Sequence, residues 1–248
     1  MTFYLDNKAQ ISKQWGGKEE TATGGYRRGS RGGWRRPTWC AAGGGDGCGS
    51  GSAPRPEAQN LLQFLRLVGQ LKRVPRTGWV YRNVESPESI SDHMYRMAIM
   101  ALVTKDEHLN NDRCLRLALV HDIAECIVGD KALADNIPKE EKHRREEEAM
   151  KQITQLLPED LRNELYGLWE EYETQSSAEA KFVKQLDQCE MILQAHEYEA
   201  QENKPGRLQD FYDSTAGKFT HPEVVQLVSE LEAERNDAIA AAARKPNS

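Results

Sequence analysis

From residue 57 onward, apolar side chains recur at three- and four-residue spacing. Leu61, Leu62, Leu65, Val68 and Leu71 form the first such stripe, the mark of an amphipathic helix with one buried face. Residues 73–86 carry Pro75 and Gly78, with Pro87 just beyond, and read as an ordered loop. Ser86 followed by Pro87 predicts an N-cap and a first helical position, with the helix running over about 87–105. The next helix is predicted over 111–128 and stops at Gly129, with a loop over 130–137 after it. Pro138 and Pro158 each suit a first helical turn. Ser176 and Glu179 have the spacing of a capping box before a long helix over 177–202. Pro205-Gly206 breaks the pattern, and His221-Pro222 opens a last helix. No strand-like alternation of useful length is present, so the expected fold class is all-α, a helical bundle of about six or seven helices.

The segment before residue 57 differs. It is Gly- and Arg-rich, as in Ala42-Gly43-Gly44-Gly45-Asp46-Gly47, and has too few spaced apolar residues to offset its ordering entropy. The expected organisation is a disordered N-terminal segment over 1–56 and a folded domain over 57–248. Arginines between Arg27 and Arg36 would suit organelle import, but Asp6, Glu19 and Glu20 break the acid-poor rule. The expected compartment is therefore the cytoplasm, with mitochondrial import as the alternative. Cys40, Cys48, Cys114, Cys126 and Cys189 are odd in number and scattered, which reads as free thiols in a reducing compartment. The net charge is −6. That argues against a nucleic-acid partner, since phosphate backbones are held by clustered Lys and Arg. No apolar run approaches the roughly 20 residues of a membrane-spanning helix.

The chemistry lies in polar residues on apolar faces. His93 falls between Ile90, Met94 and Met97; His121 and Asp122 are embedded among Leu117, Val120 and Ala124; Glu125 follows His121 by four; Asp187 lies four after Val183 and four before Met191. A lone inward histidine is usually a hydrogen-bonded core residue. Several such groups on three helices are different, because each buried unpaired charge costs several kcal/mol against a total stability of only about 5–15 kcal/mol. Convergence on a shared cation resolves the conflict. Imidazole and carboxylate together suit Mn, Co, Fe, Zn or Mg, and the absence of nearby thiolate disfavours a structural zinc site.

The order His93 … His121-Asp122 … Asp187, with Glu125 and Gly129-Asp130 completing HDxxExxxGD, resembles the HD-domain metal-dependent phosphohydrolases. The runs Leu71-Lys72-Arg73-Val74-Pro75-Arg76-Thr77-Gly78-Trp79 and Asp135-Asn136-Ile137-Pro138 are similar to those of its eukaryotic 5′-deoxynucleotidase branch. The resemblance covers about residue 59 to the C-terminus. It implies a metal-dependent enzyme that hydrolyses deoxyribonucleoside 5′-monophosphates to deoxynucleoside and phosphate. His93, His121, Asp122 and Asp187 match the metal ligands, and Glu125 and Asp130 match acidic residues of the active centre. Arg76 matches the arginine that holds the substrate phosphate. The implied cofactor is a divalent ion, Mn, Co or Mg, with Zn also compatible, and the implied assembly is a homodimer. One departure stands out: the family commonly has Ile-Ala-Pro after Gly-Asp, where this chain has Lys131-Ala132-Leu133.

The ion is expected to activate a water for attack on phosphorus. Glu125 is expected to move a proton or, alternatively, to complete the metal shell. Asp130 would accept from the sugar 3′-hydroxyl or hold a second ion. Trp79 is either a bulky group that clashes with a ribose 2′-hydroxyl or an anchor in the core. Two other classes remain open at this point: a different HD nucleotide phosphohydrolase acting on dNTPs or cyclic nucleotides, and a non-catalytic metal-stabilised scaffold.

Overall fold

The structure is a computed structural model, and it describes residues 56–131 and 137–244. Nearly all of the N-terminal segment expected to be disordered therefore lies outside the described residues, as does the middle of the 130–137 loop. The described chain is helical throughout. Helix α1 spans Pro56–Val68 and leads into a 3-10 turn at Gly69–Arg73. Then follow α2 (Thr77–Tyr81), α3 (Ile90–Val103), α4 (Asn111–Val120), α5 (Glu125–Val128) and α6 (Lys139–Thr154). The last four are α7 (Glu159–Thr174), α8 (Ala178–Gln201), α9 (Gln209–Thr215) and α10 (Pro222–Ala243). No strand occurs among the described residues; a single antiparallel bridge joins Pro75 to Ser89.

Helices α3, α4 and α8 pack on one another and form the centre of the bundle. Ile90, Met97 and Ala101 from α3, Cys114, Leu117 and Ala118 from α4, and Val183, Cys189 and Ile192 from α8 are all fully buried. Burying each large aliphatic side chain contributes roughly 1.5–3 kcal/mol, so this seam fixes the three helices that carry the site. Helix α10 is fastened to α8 by Arg235. Its guanidinium donates to both oxygens of buried Glu199, at 2.8 and 2.9 Å, and lies over the Tyr212 ring.

Several expected boundaries move. Ser86 sits at φ +53° and caps nothing. The cap of α3 is Ser89: its hydroxyl accepts from Asp92 N at 3.2 Å, and the Asp92 carboxylate accepts from Ser89 N at 2.9 Å. Ser177, one residue later than expected, caps α8 through Ala180 N. Glu179 instead accepts from Asn110 N. Pro138 and Pro158 stand at the N-cap positions of α6 and α7. The loop over 73–86 contains the short helix α2. On α1, Leu61, Leu62 and Leu65 are exposed, and the packed side is formed by Phe64, Leu67 and Val68.

The predicted helix over 111–128 keeps its path but tightens at residues 121–124. There the amides of Ile123, Glu125, Cys126 and Ile127 each reach back three residues rather than four. At three residues per turn, positions i and i+3 eclipse. Glu125 is thereby brought over Asp122, not over His121 as the 3.6-residue period implied.

Candidate metal centre

Four side chains meet where α3, α4 and α8 cross. His93, on the first turn of α3, is completely buried, and His121, at the C-terminus of α4, nearly so. His93 Nε2 lies 3.2 Å from Asp187 Oδ1, and His121 Nε2 lies 3.1 Å from Asp122 Oδ2. The His93, His121 and Asp122 donor atoms fall within 4.8 Å of one another. Two opposite ligands of one ion stand about 4.2 Å apart at bond lengths near 2.1 Å, so little closure is needed. The two Nε2 atoms face these carboxylates without the alignment of a hydrogen bond, Glu125 Oε2 has no partner, and all three atoms are buried. Buried polar atoms left without a well-aligned bond are rare and costly. The donor set of two imidazoles and two carboxylates fits a borderline or hard divalent cation.

The outer nitrogens of both imidazoles are occupied. His121 Nδ1 pairs with the Ala118 carbonyl at 2.9 Å, and His93 Nδ1 pairs with Glu190. In each ring this leaves Nε2 as the nitrogen free to ligate.

Arg76 reaches the same place from the segment before α2. The bridge at Pro75 and the bonds from Arg76 N to Glu88 O and from Ile90 N to Val74 O tie that segment to the start of α3. Its guanidinium donates to Asp122 Oδ2 at 3.2 Å and lies 4.0 Å from Asp187 Oδ1. Asp130 lies near enough to act on the charges of Arg76 and Glu125. Gly129, at φ +72°, turns the chain sharply after α5, a conformation that favours glycine. Asp130 then accepts from Thr77 N at 2.5 Å, and its carbonyl accepts from the Thr77 hydroxyl.

The electrostatics follow from this crowding. Burial opposes the Arg76 charge, yet Asp122, Asp130, Asp187 and Glu125 together raise its pKa above the ordinary arginine value. Burial also works against ionised Asp122, but His121, Arg76 and His93 hold its carboxyl well below the usual range. Asp187 is lowered too, with Lys184 and His93 outweighing burial. Glu125 goes the other way: burial, then Asp122 and Asp130, push it well above the normal carboxylate value. On His93, burial and Arg76 oppose the charge, but the Asp187 and Glu190 carboxylates raise the imidazole to about 9.

The HD-domain pattern matches residues 68–225 of this chain. The chain belongs to the HD-domain family. It is 86% identical over 189 residues to the cattle (Bos taurus) protein named 5'-deoxynucleotidase HDDC2, a match that covers 76% of this chain and 92% of that one. It is 85% identical over 191 residues to the Homo sapiens protein of the same name, covering 77% and 94%. Among solved structures, a "predicted metal-dependent phosphohydrolase" from Magnetospirillum magnetotacticum superposes with a TM-score of 0.58 at 25% identity, covering 77% of this chain and all of that one.

Within this HD-domain centre the structure brings together His93, His121, Asp122, Asp187 and Arg76, with Glu125 and Asp130 beside them. It does not bring Trp79 to the open side. The indole is 2% exposed, packs against Tyr198 and Phe211, and donates from Nε1 to Glu88 Oε1 at 2.9 Å. Of the two readings of Trp79, this placement is the core anchor.

Sequence reasoning missed several neighbours. Tyr172 donates to Asp187 Oδ2 at 2.8 Å, and Lys184 Nζ meets the same oxygen at 2.8 Å. Glu190, fully buried, holds His93. Glu190 lies three residues after Asp187 on the same helix, so the helical period that singled out Asp187 also marks Glu190. Two of the lone histidines elsewhere have their own partners. His221 pairs with Asp106 at 2.9 Å, and His143 stacks on Trp169.

Proposed function

We propose that the chain is a metal-dependent 5′-deoxynucleotidase, a phosphoric monoester hydrolase that converts deoxyribonucleoside 5′-monophosphates to deoxynucleoside and phosphate. The observation that carries this is the convergence of His93, His121, Asp122 and Asp187, with both Nε2 atoms buried against carboxylates without an aligned hydrogen bond, beside the half-buried Arg76 guanidinium. The name carried by the 85–86% identical relatives supports the choice of substrate.

A divalent ion held by His93, His121, Asp122 and Asp187 would supply Lewis acidity for the attacking water and charge neutralisation for the phosphate. Arg76 binds a phosphate oxygen through its planar fork. Its Asp122 contact fixes the fork against the ligand cluster. Glu125, with one carboxyl oxygen buried and unpartnered, takes up or delivers the proton exchanged with water and the leaving 5′-oxygen. Asp130 is held against α2 by Thr77, where it borders the space for the sugar, as acceptor for the 3′-hydroxyl or ligand of a second ion.

The N/O donor set supports Mn, Co or Mg, with Zn also compatible. A homodimer is the proposed assembly: Tyr95, Ile99 and Leu102 form an exposed apolar stripe at i, i+4, i+7 on α3. The proposed compartment is the cytoplasm, in keeping with Cys114, Cys126 and Cys189 as free thiols. No described helix is long and apolar enough to cross a membrane, and the net charge of −6 supports a small nucleotide rather than a nucleic acid as partner.

The test is release of phosphate against pyrophosphate from a panel of deoxy- and ribonucleoside mono- and triphosphates, run in EDTA and then with each metal restored. Phosphate from dAMP or dCMP, abolished by EDTA, is expected. Glu125→Gln should keep metal bound and lower kcat by about 10²–10⁴-fold. Pyrophosphate or tripolyphosphate release, or full activity in EDTA, overturns the reading.

A further inference from the structure

The two histidines of the metal centre are supported unequally. His121 donates from Nδ1 to a neutral backbone carbonyl, that of Ala118. His93 faces a carboxylate, Glu190, and both partners are completely shielded from solvent. An ionised carboxylate in such a place costs several kcal/mol unless it is paired. Its pair is Arg96, one turn along α3 from His93, whose Nε donates to Glu190 Oε1 at 2.8 Å. Arg96 is gripped in turn by Glu197, at 2.8 and 2.9 Å, and by Gln194 at 2.6 Å. Glu190, Gln194 and Glu197 recur along one face of α8, the face that begins with Asp187. A single helix face thus supplies one ligand directly and clamps another through its far nitrogen.

Glu88, His93 and Glu190 also bring donor atoms within 4.8 Å of one another, which raises the alternative of a second cation site on the Nδ1 side. The Arg96 guanidinium lies 2.7 Å from Glu190 Oε1, so that side already has its cation. Glu88 Oε1 is engaged by the Trp79 N–H.

The geometry points to Glu190 as a positioning residue that locks the His93 tautomer and raises the donor strength of Nε2, with Arg96 as the clamp that keeps Glu190 in place. A histidine whose far N–H is given to a carboxylate is a more basic and better oriented ligand, and loss of such a partner typically weakens metal binding about 10–100-fold. This inference rests on the metal-centre reading above.

The test uses the full chain loaded with Co²⁺, with affinity measured by chelator competition and ligand field by visible absorption. Glu190→Gln keeps the shape and an acceptor for Nδ1–H but removes the charge. It should weaken Co²⁺ binding about 10–100-fold and shift the visible bands, with circular dichroism unchanged. Arg96→Gln should move both readouts in the same direction by less, and Arg96→Lys should recover part of the loss. Wild-type affinity and unshifted bands in folded Glu190→Gln overturn the inference while leaving the metal centre intact. If Glu190→Gln does not fold, the same result in Arg96→Gln overturns it. Failure of the unsubstituted chain to bind Co²⁺ refutes the metal-centre reading itself.

Discussion

Replacing Trp79 by Phe removes the indole N–H but leaves an aromatic ring between Tyr198 and Phe211. Three costs add up. The hydrogen bond to Glu88 Oε1 is lost, and the half-buried acceptor left without its donor costs about 1–3 kcal/mol. The smaller ring leaves a void beside Tyr198 and Phe211, whose centroids lie 5.3 and 4.3 Å from the indole, for about 1 kcal/mol more. The total is about 2–4 kcal/mol, which for a domain of roughly 190 residues lowers Tm by about 5–15 °C. The side chain is 2% exposed, so it has no face to offer a sugar. The preference for dAMP over AMP should then stay within about threefold, or about 0.7 kcal/mol. Thermal melts and kcat/KM for the two nucleotides decide the matter. A protein that melts as the wild type does but no longer distinguishes the sugars would show that the indole faces substrate and that its core placement is the wrong account.

Arg76→Ala should lower kcat/KM for nucleotides about 10–100-fold, the worth of a charge-assisted bond to phosphate. Lys should restore only part of it, because the fork is lost. Co²⁺ affinity should not fall, since the variant removes a cation beside Asp122 and Asp187; a metal-binding loss would make Arg76 a structural member of the centre instead. Metal affinity should also depend on pH. His93 moves from about 6.5 to about 9 in the folded apoprotein. Its proton therefore stabilises the apoprotein fully below pH 6.5, and that contribution is lost as pH rises toward 9. Ligation expels the proton, so affinity should rise over the same window, by up to about tenfold per pH unit. Chelator competition at pH 6.5, 7.5 and 8.5 checks this, and a flat profile contradicts it.

The proposed ligands were legible because each is a charged or titratable group set into an apolar stripe, where only a shared partner makes burial tolerable. His93 between Ile90 and Met97 and Asp187 between Val183 and Met191 are the clearest cases. Glu190 escaped because an acid on an otherwise acidic helix reads as solvated; its burial depends on Arg96, which reaches it from another helix. Periodicity over α1 and the turn after it placed Val68 and Leu71 on the packed side but chose wrongly at Leu61, Leu62 and Leu65. Leu61, Leu62 and Leu65 are as evenly spaced as Phe64, Leu67 and Val68, and packing alone decides between them. The choice of Ser89 over Ser86 as cap depends on backbone angles that residue type does not dictate. The tightened turn over 121–124 carries no compositional signal, yet it sets Glu125 above Asp122.

The fastening of α10 bears on the helix that carries part of the proposed metal centre. Glu199 lies on the same rod as Asp187 and Glu190, about three turns further on, and is shielded from water in the company of Arg235. Stripping away that arginine strands a carboxylate in the interior, a loss of about 3–5 kcal/mol from a reserve of about 5–15. Shortening the chain before Pro222 would thus be felt far from the cut, as a slackened mount for the proposed ligand Asp187.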